Sequence, residues 1–316
     1  MRAAVIKEAR LVVRERPDPV PTGSELLVAV AAAGLNGADL LQRAGHYPPP
    51  PGVPADIPGL ECAGTVVATG PDAERAIGDR VMGIVGGGAQ AELCLVEDSV
   101  AMAVPGSVSL EEAGGFPETF TTAHDALFTQ CGLAAGERVL VTGAAGGVGV
   151  AAVQLAKLKG SQVVASVRRA ELRPAVAALG AEVIDPAEEE AAGPYDVVLE
   201  LVGAADFPAH LAALATGGRI CFIGLAGSGP HTGLDARQLM AKRAVVRGST
   251  LRARSVAEKA AATRALAAEA GPALGEGRLK VLVAATYPLA DCQAAYDRFA
   301  EGGKLGKILL LMGQER

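Results

Sequence analysis

Apolar residues in the first 117 positions come in short runs cut by glycine and proline. "AAVIKE" from Ala3, "ELLVAVAAAG" from Glu25, "GTVVATG" from Gly64, "DRVMGIV" from Asp79 and "AELCLV" from Ala91 are each of strand length. Short strands at this spacing predict a small barrel or sandwich. The segment "GHYPPPPGVPADIPG", Gly45–Gly59, cannot be helix or central strand because its prolines lack N–H donors. It is expected to be a stiff surface loop.

From Leu110 the pattern changes. "SLEE", Ser109–Glu112, is a capping box that opens a helix. Beyond Arg138, near-continuous apolar runs alternate with helical ones: "RVLVTG", "GVAAVQLAKLK", "SQVVASV", "ELRPAVAALG", "AEVID", "YDVVLELVG", "FPAHLAALATGG", "RICFIGL" and "AVVRGST". Such alternation predicts a parallel sheet covered on both faces. A helix over "SVAEKAAATRALAAEA" leads to "KVLVAATYPL", "CQAAYDRFAEGG" and "KILLLM". That tail has the composition of the first strands and is expected to return to them.

Composition narrows the class. The 316 residues suffice for two domains, and half of them are hydrophobic, enough for sizeable cores. Net charge is −6 with no basic run, so no nucleic-acid footprint is present. The longest apolar run, from Leu26, falls short of the ~18 residues of a membrane span. "MRAAVIKEAR" lacks the apolar core of a signal peptide. Five scattered cysteines and four histidines show no metal spacing and read as thiols and imidazoles of a cytoplasmic protein.

Candidate chemistry begins at "VLVTGAAGGVGVAAVQLAKLKG", Val139–Gly160. Glycine inside an element costs roughly 0.5–1 kcal/mol against alanine, so Gly143, Gly146, Gly147 and Gly149 answer a geometric need. A glycine turn before a helix presents free N–H groups and the positive end of the helix dipole to an anion. Gly146 permits close pyrophosphate approach and Gly149 close helix–strand packing. Position in the first turn of a βαβ run strengthens this reading. NAD-specific sites place a carboxylate at the end of the next strand; here stands Ser166, followed by Arg168 and Arg169. A hydroxyl with two guanidiniums suits a 2′-phosphate, which points to NADPH.

The stretches "GLNGADLLQRAGHYPPPPG", "IPGLECAGTVVATG", "FPETFTTAHDALF", "LMAKRAVVRGSTLRARS" and "GKLGKILL" extend the comparison over nearly the whole chain. In them the sequence resembles the medium-chain dehydrogenase/reductase superfamily. Within it, the resemblance is to the zinc-free quinone oxidoreductases, in the branch with the tumour-suppressor-induced NADPH:quinone reductase. The resemblance implies an α/β protein: a GroES-like β-barrel catalytic domain, residues 1–117 and 263–316, around a Rossmann doubly wound parallel-sheet domain, residues 118–262. Cofactor and substrate would meet in the cleft between them. It implies Asn36, Tyr47 and Thr122 as the residues facing nicotinamide and substrate, with helix capping, loop packing and a helix-backbone bond as their structural alternatives. Cofactor positions are Gly143, Gly146, Gly147, Val148, Gly149, Ser166, Arg168, Arg169, Gly203, Ile223 and Gly224.

Zinc enzymes of the superfamily carry Cys in the first of these motifs and His-Glu in the second. This chain has Asn36 and Leu60 at the ligand positions and keeps only Glu61, so no catalytic zinc is expected. Glu61 reads as a partner of buried polar groups. Two departures from the family concern the 2′-phosphate: Leu172 and Pro186 stand where a Lys and a Tyr are usual. The connection from Pro186 to Pro194 is short, acidic and without most of a helix. "GGKLGKI" lacks the residues of a nucleoside-triphosphate loop, and Ser228 in "LAGSGP" lacks nucleophile-elbow spacing.

The expected activity is zinc-independent, NADPH-dependent reduction of quinones by a homodimer or homotetramer. The alternatives are reduction of activated C=C bonds in enals, enones or enoyl thioesters, and NADPH binding without turnover. The arginines generate a first prediction. NADPH should be preferred over NADH, and Arg168→Ala with Arg169→Ala should remove that preference. Charged hydrogen bonds of roughly 1.5–3 kcal/mol each correspond to tenfold or more in affinity. Equal efficiency with both cofactors in the unmodified protein would refute it.

Overall fold

The computed structural model describes residues 1–224 and 229–313; Ser228 lies outside them. The chain forms two compact units, Met1–Thr121 with Leu251–Arg316, and Thr122–Thr250. In the first unit a hairpin, β1 (Arg2–Lys7) and β2 (Arg10–Glu15), precedes the ten-residue β3 (Glu25–Gly34). Helix α1 (Gly37–Arg43) and the proline loop follow, then β4 (Glu61–Thr69), β5 (Arg80–Ile84), β6 (Leu93–Glu97) and β7 (Met102–Ala103). The short α2 (Leu110–Ala113) starts at the expected cap, where Ser109 Oγ accepts the Glu112 N–H at 3.0 Å. Next comes α3 (Pro117–His124), which spans the unit boundary.

The second unit alternates as the apolar runs predict. Its elements are β8 (Arg138–Val141), α4 (Gly147–Lys159), β9 (Gln162–Ser166), α5 (Arg173–Ala177), β10 (Glu182–Ile184) and β11 (Tyr195–Glu200), then α6 (Phe207–Ala212), β12 (Leu214–Phe222), α7 (Ala236–Lys242) and β13 (Val245–Gly248). All its pairings are parallel, in the order β10-β9-β8-β11-β12-β13. Counted within the unit this is 3-2-1-4-5-6, the dinucleotide-binding order. Leu140, Val164, Val198 and Ile220 from four neighbouring strands share one core with Phe207 and Leu211 of α6. The helix expected over "ELRPAVAALG" is only the five residues of α5, with Pro174 in its first turn.

The chain then returns to the first unit through α8 (Val256–Gly275), β14 (Val283–Pro288), α9 (Cys292–Ala300) and β15 (Lys307–Leu311). There β15 lies between β14 and β3, so the tail completes a sheet begun by the N-terminal strands. Leu26, Val28 and Cys62 pack there with Ile308 and Leu310. The units divide at 121/122 and 250/251, where the sequence reading drew 117/118 and 262/263. Leu251, Ala260 and Ala262 share a buried cluster with Ile84 and Val100, which keeps the start of α8 with the first unit.

Two glycines of the β8–α4 turn have separable roles. A Cβ on Gly149 would stand 2.6 Å from the backbone of both Ala144 and Gly143, whereas one on Gly146 would meet only Gly143 O at 3.4 Å. Gly149→Ala should therefore destabilise the fold by about 1–3 kcal/mol in chemical denaturation. Gly146→Ala should leave stability nearly unchanged and weaken cofactor binding, because its methyl would stand where the glycine-turn motif is expected to admit a pyrophosphate. Equal stability losses in the two variants would contradict this division.

Candidate functional site

The dinucleotide side of the second unit is built at the carboxyl ends of its parallel strands. Gly143 turns the chain after β8 with φ +56°, and α4 begins behind Gly146 with no side-chain cap. The first-turn N–H groups of a helix have no partner within it, which makes those of Gly147, Val148 and Gly149 candidates for an anion. Ser166, buried at the end of β9, accepts the Ala144 N–H on its carbonyl at 3.1 Å and so ties the second strand to the glycine turn. Arg168 and Arg169 follow it and are exposed; Arg169 Nη1 is 3.6 Å from Glu171 Oε1. Leu172 and Pro186 lie in short 3-10 turns. Arg173 reaches back from α5 to the Val167 carbonyl at 3.0 Å and pairs with Asp185.

Glu200, the last residue of β11, gathers the remaining positions that the sequence resemblance implies for the cofactor. Its Oε1 accepts from Thr142 Oγ1 at 2.9 Å and from the Val202 and Gly203 N–H groups at 2.6 and 2.9 Å. Its main-chain carbonyl accepts from Ile223 at 3.0 Å and Gly224 at 3.4 Å. The free oxygen, Oε2, stands 3.1 Å from His210 Nδ1, and His210 Nε2 lies 2.7 Å from Glu189 Oε2. All three side chains are buried. Burial lowers the His210 pKa, but hydrogen bonds to the two carboxylates outweigh it and hold it at about 9. For Glu200, burial opposes ionisation, and the His210 bond and the two N–H donors overcome it. The short connection contributes here: after its single 3-10 turn, Pro186–Glu188, it folds Glu189 inward onto His210.

In the first unit, Asn36 stands at the N-cap of α1, with its N–H donating to Asp39 Oδ2 at 2.8 Å. Its side chain faces a buried ion pair. Lys307 Nζ lies 2.6 Å from Glu61 Oε1, 2.7 Å from Asn36 Oδ1 and 2.7 Å from the Leu35 carbonyl. Asn36 Nδ2 donates to Glu61 Oε1 at 2.9 Å and to Gly34 O at 3.4 Å. Its amide is thus committed to this cluster. Glu61 Oε2 accepts the Glu118 N–H at 2.8 Å. Burial and the neighbouring Glu61 carboxylate raise the Glu118 pKa to about 8. Burial likewise raises Asp39 to about 6 despite N–H bonds from Asn36 and Gly59.

Tyr47 is held by Arg252. The guanidinium donates to the Tyr47 carbonyl at 2.9 Å, to Gly86 O at 2.8 Å and to Gln42 Oε1 at 2.6 Å. It also lies 5.0 Å from the centre of the half-buried Tyr47 ring. Asn36 and Tyr47 are therefore linked through α1, whose Gln42 meets Arg252. Thr122 is partly exposed on α3 and belongs to the other unit. Lys307, Arg252, Glu200 and His210 were not singled out from the sequence. The available signal was a charge inside an apolar run, as in "KILLL" and "YDVVLELVG".

Residues 22–149 match the alcohol dehydrogenase GroES-like domain, and residues 147–267 match the zinc-binding dehydrogenase domain. A quinone oxidoreductase of Lama guanicoe is 32% identical over 311 residues, 93% of this chain and 91% of its own. A mycobacterial structure complexed with NADPH superposes with a TM-score of 0.86 at 30% identity, over 98% of this chain and 99% of its own. The structure of CurK enoyl reductase superposes with a TM-score of 0.82 at 28% identity, over 96% and 95%. Fold, site and relatives define an oxidoreductase that takes a nicotinamide cofactor and a small-molecule substrate. The chain belongs to the medium-chain dehydrogenase/reductase superfamily.

The second domain description names zinc, and the residues at the superfamily's ligand positions do not fit it. Leu60 offers no donor, Asn36 is bonded to Lys307 and Glu61, and Glu61 already neutralises an ammonium. Among the described residues no group of three or more His, Cys, Asp or Glu is placed to hold a metal. The cofactor fits better, since an open glycine turn faces the helix end and exposed guanidiniums follow Ser166.

The His210 pair generates a prediction. With a folded-state pKa of about 9 against the usual 6.5, its stabilisation is complete below about pH 6.5 and is lost as pH rises through 9. His210→Gln leaves two buried carboxylates uncompensated and should cost roughly 3–5 kcal/mol at neutral pH. The gap in Tm between unmodified protein and variant should narrow steadily from pH 6.5 to 9.5. A gap independent of pH would show that the imidazole is neutral.

Proposed function

We propose that this protein is an NADPH-dependent quinone oxidoreductase that transfers hydride without zinc. The observation that carries the reading is the Asn36–Glu61–Lys307 cluster, in which an ammonium engages the side chains at the superfamily's metal positions. When bound, the reduced nicotinamide supplies the hydride. Gly146, Gly147 and Val148 would hold the pyrophosphate on the α4 N-terminus, and Ser166, Arg168 and Arg169 the 2′-phosphate. Glu200 bonds the backbone of Gly203, Ile223 and Gly224, which would line the cofactor. Tyr47, backed by a guanidinium, offers a flat apolar face, Thr122 a neutral hydroxyl donor, and Asn36 fixes the Lys307 charge.

Without a metal, an alcohol–ketone couple lacks the Lewis acid that polarises its carbonyl. A quinone needs less help, because reduction spreads the charge over the ring. Reduction of activated C=C bonds is the second reading, favoured by the likeness to CurK enoyl reductase. The protein acts as a homodimer or homotetramer. Support comes from the edge strand β13, whose Val245 and Val246 are each 40% exposed and whose free edge invites a second copy. Five buried, unpaired cysteines suit the reducing cytoplasm, and among the described residues no helix is long and apolar enough to cross a membrane.

The deciding experiment is NADPH oxidation with a panel of quinones, enones, enoyl thioesters, alcohols and ketones. Quinones should be reduced fastest, and Tyr47→Ala should raise KM if the ring only stacks, or lower kcat as well if its phenol meets developing charge. A preference for enones promotes the second reading. Robust alcohol oxidation without quinone reduction would sink both, and NADPH binding without any turnover leaves a binding protein.

A further inference from the structure

All five cysteines are free thiols, and the second unit brings two of them together from distant parts of the chain. Beyond α3 the helix continues as a π-helical turn, Asp125–Gln130, that ends at Cys131. This turn lies on the last two strands of the sheet. Ser249 Oγ, just after β13, donates to Asp125 Oδ2 at 2.9 Å, and Arg219 Nε of β12 donates to the Cys131 carbonyl at 2.8 Å. Side chains alternate across a strand, and Ile220 enters the core shared with α6. Arg219 and Cys221 therefore face the other side of the sheet, where Cys131 sits. There the Cys131 and Cys221 thiols hydrogen-bond to each other.

The two sulfurs are not equivalent. Cys221 is fully buried, whereas Cys131 keeps 5% of its surface. Arg219 Nη2 also donates to Gly132 O at 3.2 Å, so a guanidinium covers the carbonyl end of the turn, whose negative dipole would otherwise disfavour a thiolate. The hydrogen bond from Cys221 and the Arg219 and Arg247 guanidiniums lower the Cys131 pKa, against burial and the Glu137 carboxylate. Cys131 itself, burial and the Asp125 carboxylate raise that of Cys221. Cys131 is thus the nucleophile and Cys221 the reserve thiol behind it.

We propose that Cys131 and Cys221 form a peroxide-sensitive dithiol, in which Cys131 attacks hydrogen peroxide and Cys221 resolves the product into a disulfide. Hydrogen peroxide is scarcely larger than water, which suits the narrow access to Cys131. In the first step the Cys131 S–O bond forms and the peroxide O–O bond breaks; the leaving hydroxide takes a proton and becomes water. In the second, the Cys221 sulfur attacks the Cys131 sulfenic acid. The S–S bond forms, the S–O bond breaks, and the Cys221 proton leaves with the hydroxide as a second water. The thiols lose two electrons in all and the peroxide gains them. The bond clamps the π-helical turn to β12 just ahead of Ile223, and by closing a long loop it stabilises the second unit. Cys62 and Cys94 also hydrogen-bond to each other, but within the apolar core of the first unit, where buried thiols are inert. They serve as the internal reference.

The test exposes the full chain, without ligand, to hydrogen peroxide. Thiols counted in denaturant should fall from five to three, and peptide mapping should join Cys131 to Cys221 and leave Cys62 and Cys94 free. Tm should rise by several degrees and return with dithiothreitol. Cys221→Ala should accumulate a sulfenic acid on Cys131 that dimedone traps, and Cys131→Ala should leave Cys221 unoxidised. Five thiols surviving the peroxide would overturn the proposal, as would a Cys62–Cys94 bond formed in preference. A sulfenic acid trapped on Cys221 would overturn the assignment of the nucleophile. A disulfide that leaves Tm unchanged or lowers it would overturn the clamp.

Discussion

A lysine ammonium shut away from water has to be met by a counter-charge and by lone pairs, or the fold does not tolerate it. Lys307 is met by all of these at once: the Glu61 carboxylate, the Asn36 amide oxygen and the Leu35 carbonyl. The pair is weak evidence for stability in itself, but removing either partner leaves an uncompensated buried charge. It also joins distant parts of the chain. Lys307 opens β15, Asn36 caps α1 and Glu61 opens β4, so the cluster forms only when the tail has returned to the first unit. The same contacts seat Glu118 and α3, and they occupy the side chains that a zinc enzyme of this superfamily would use.

The second unit uses a related device. Loops at the carboxyl ends of parallel strands are where such sheets bind ligands, and they need their N–H groups oriented. One side chain, Glu200, orients several of them and is held by the His210 imidazolium, which Glu189 holds in turn. The short connection after β10 thereby has a structural task, since it delivers Glu189. Each unit thus holds a buried cation against carboxylate, Lys307 on Glu61 in the first and His210 on Glu189 and Glu200 in the second.

Much of this was legible in the sequence. The parallel sheet, its glycine turn and the capping box at Ser109 follow from local pattern, because propensity and period act over a few residues. The return of the tail was readable from composition. Lys307 and Glu200 were not, since their partners lie far along the chain and a charge in an apolar strand does not announce its counter-ion. For Asn36 the sequence leaves open a role toward substrate and a cap on α1; the structure shows the cap, with the side-chain amide bonded to Glu61 and Gly34. The division near 250 was hidden because α8 has the alanine-rich composition of the preceding helices, while its allegiance is decided by Leu251 and Ala260 packing on Ile84 and Val100.

In the proposed reading a buried ammonium stands where the zinc enzymes of the superfamily carry their ligands, and hydride transfer proceeds without a metal. Metal content and NADPH-linked quinone turnover measured on one preparation, before and after exhaustive chelation, test it most directly. The account predicts no stoichiometric zinc and unchanged turnover after chelation. One zinc per chain, with turnover lost on its removal and regained on its return, would contradict it.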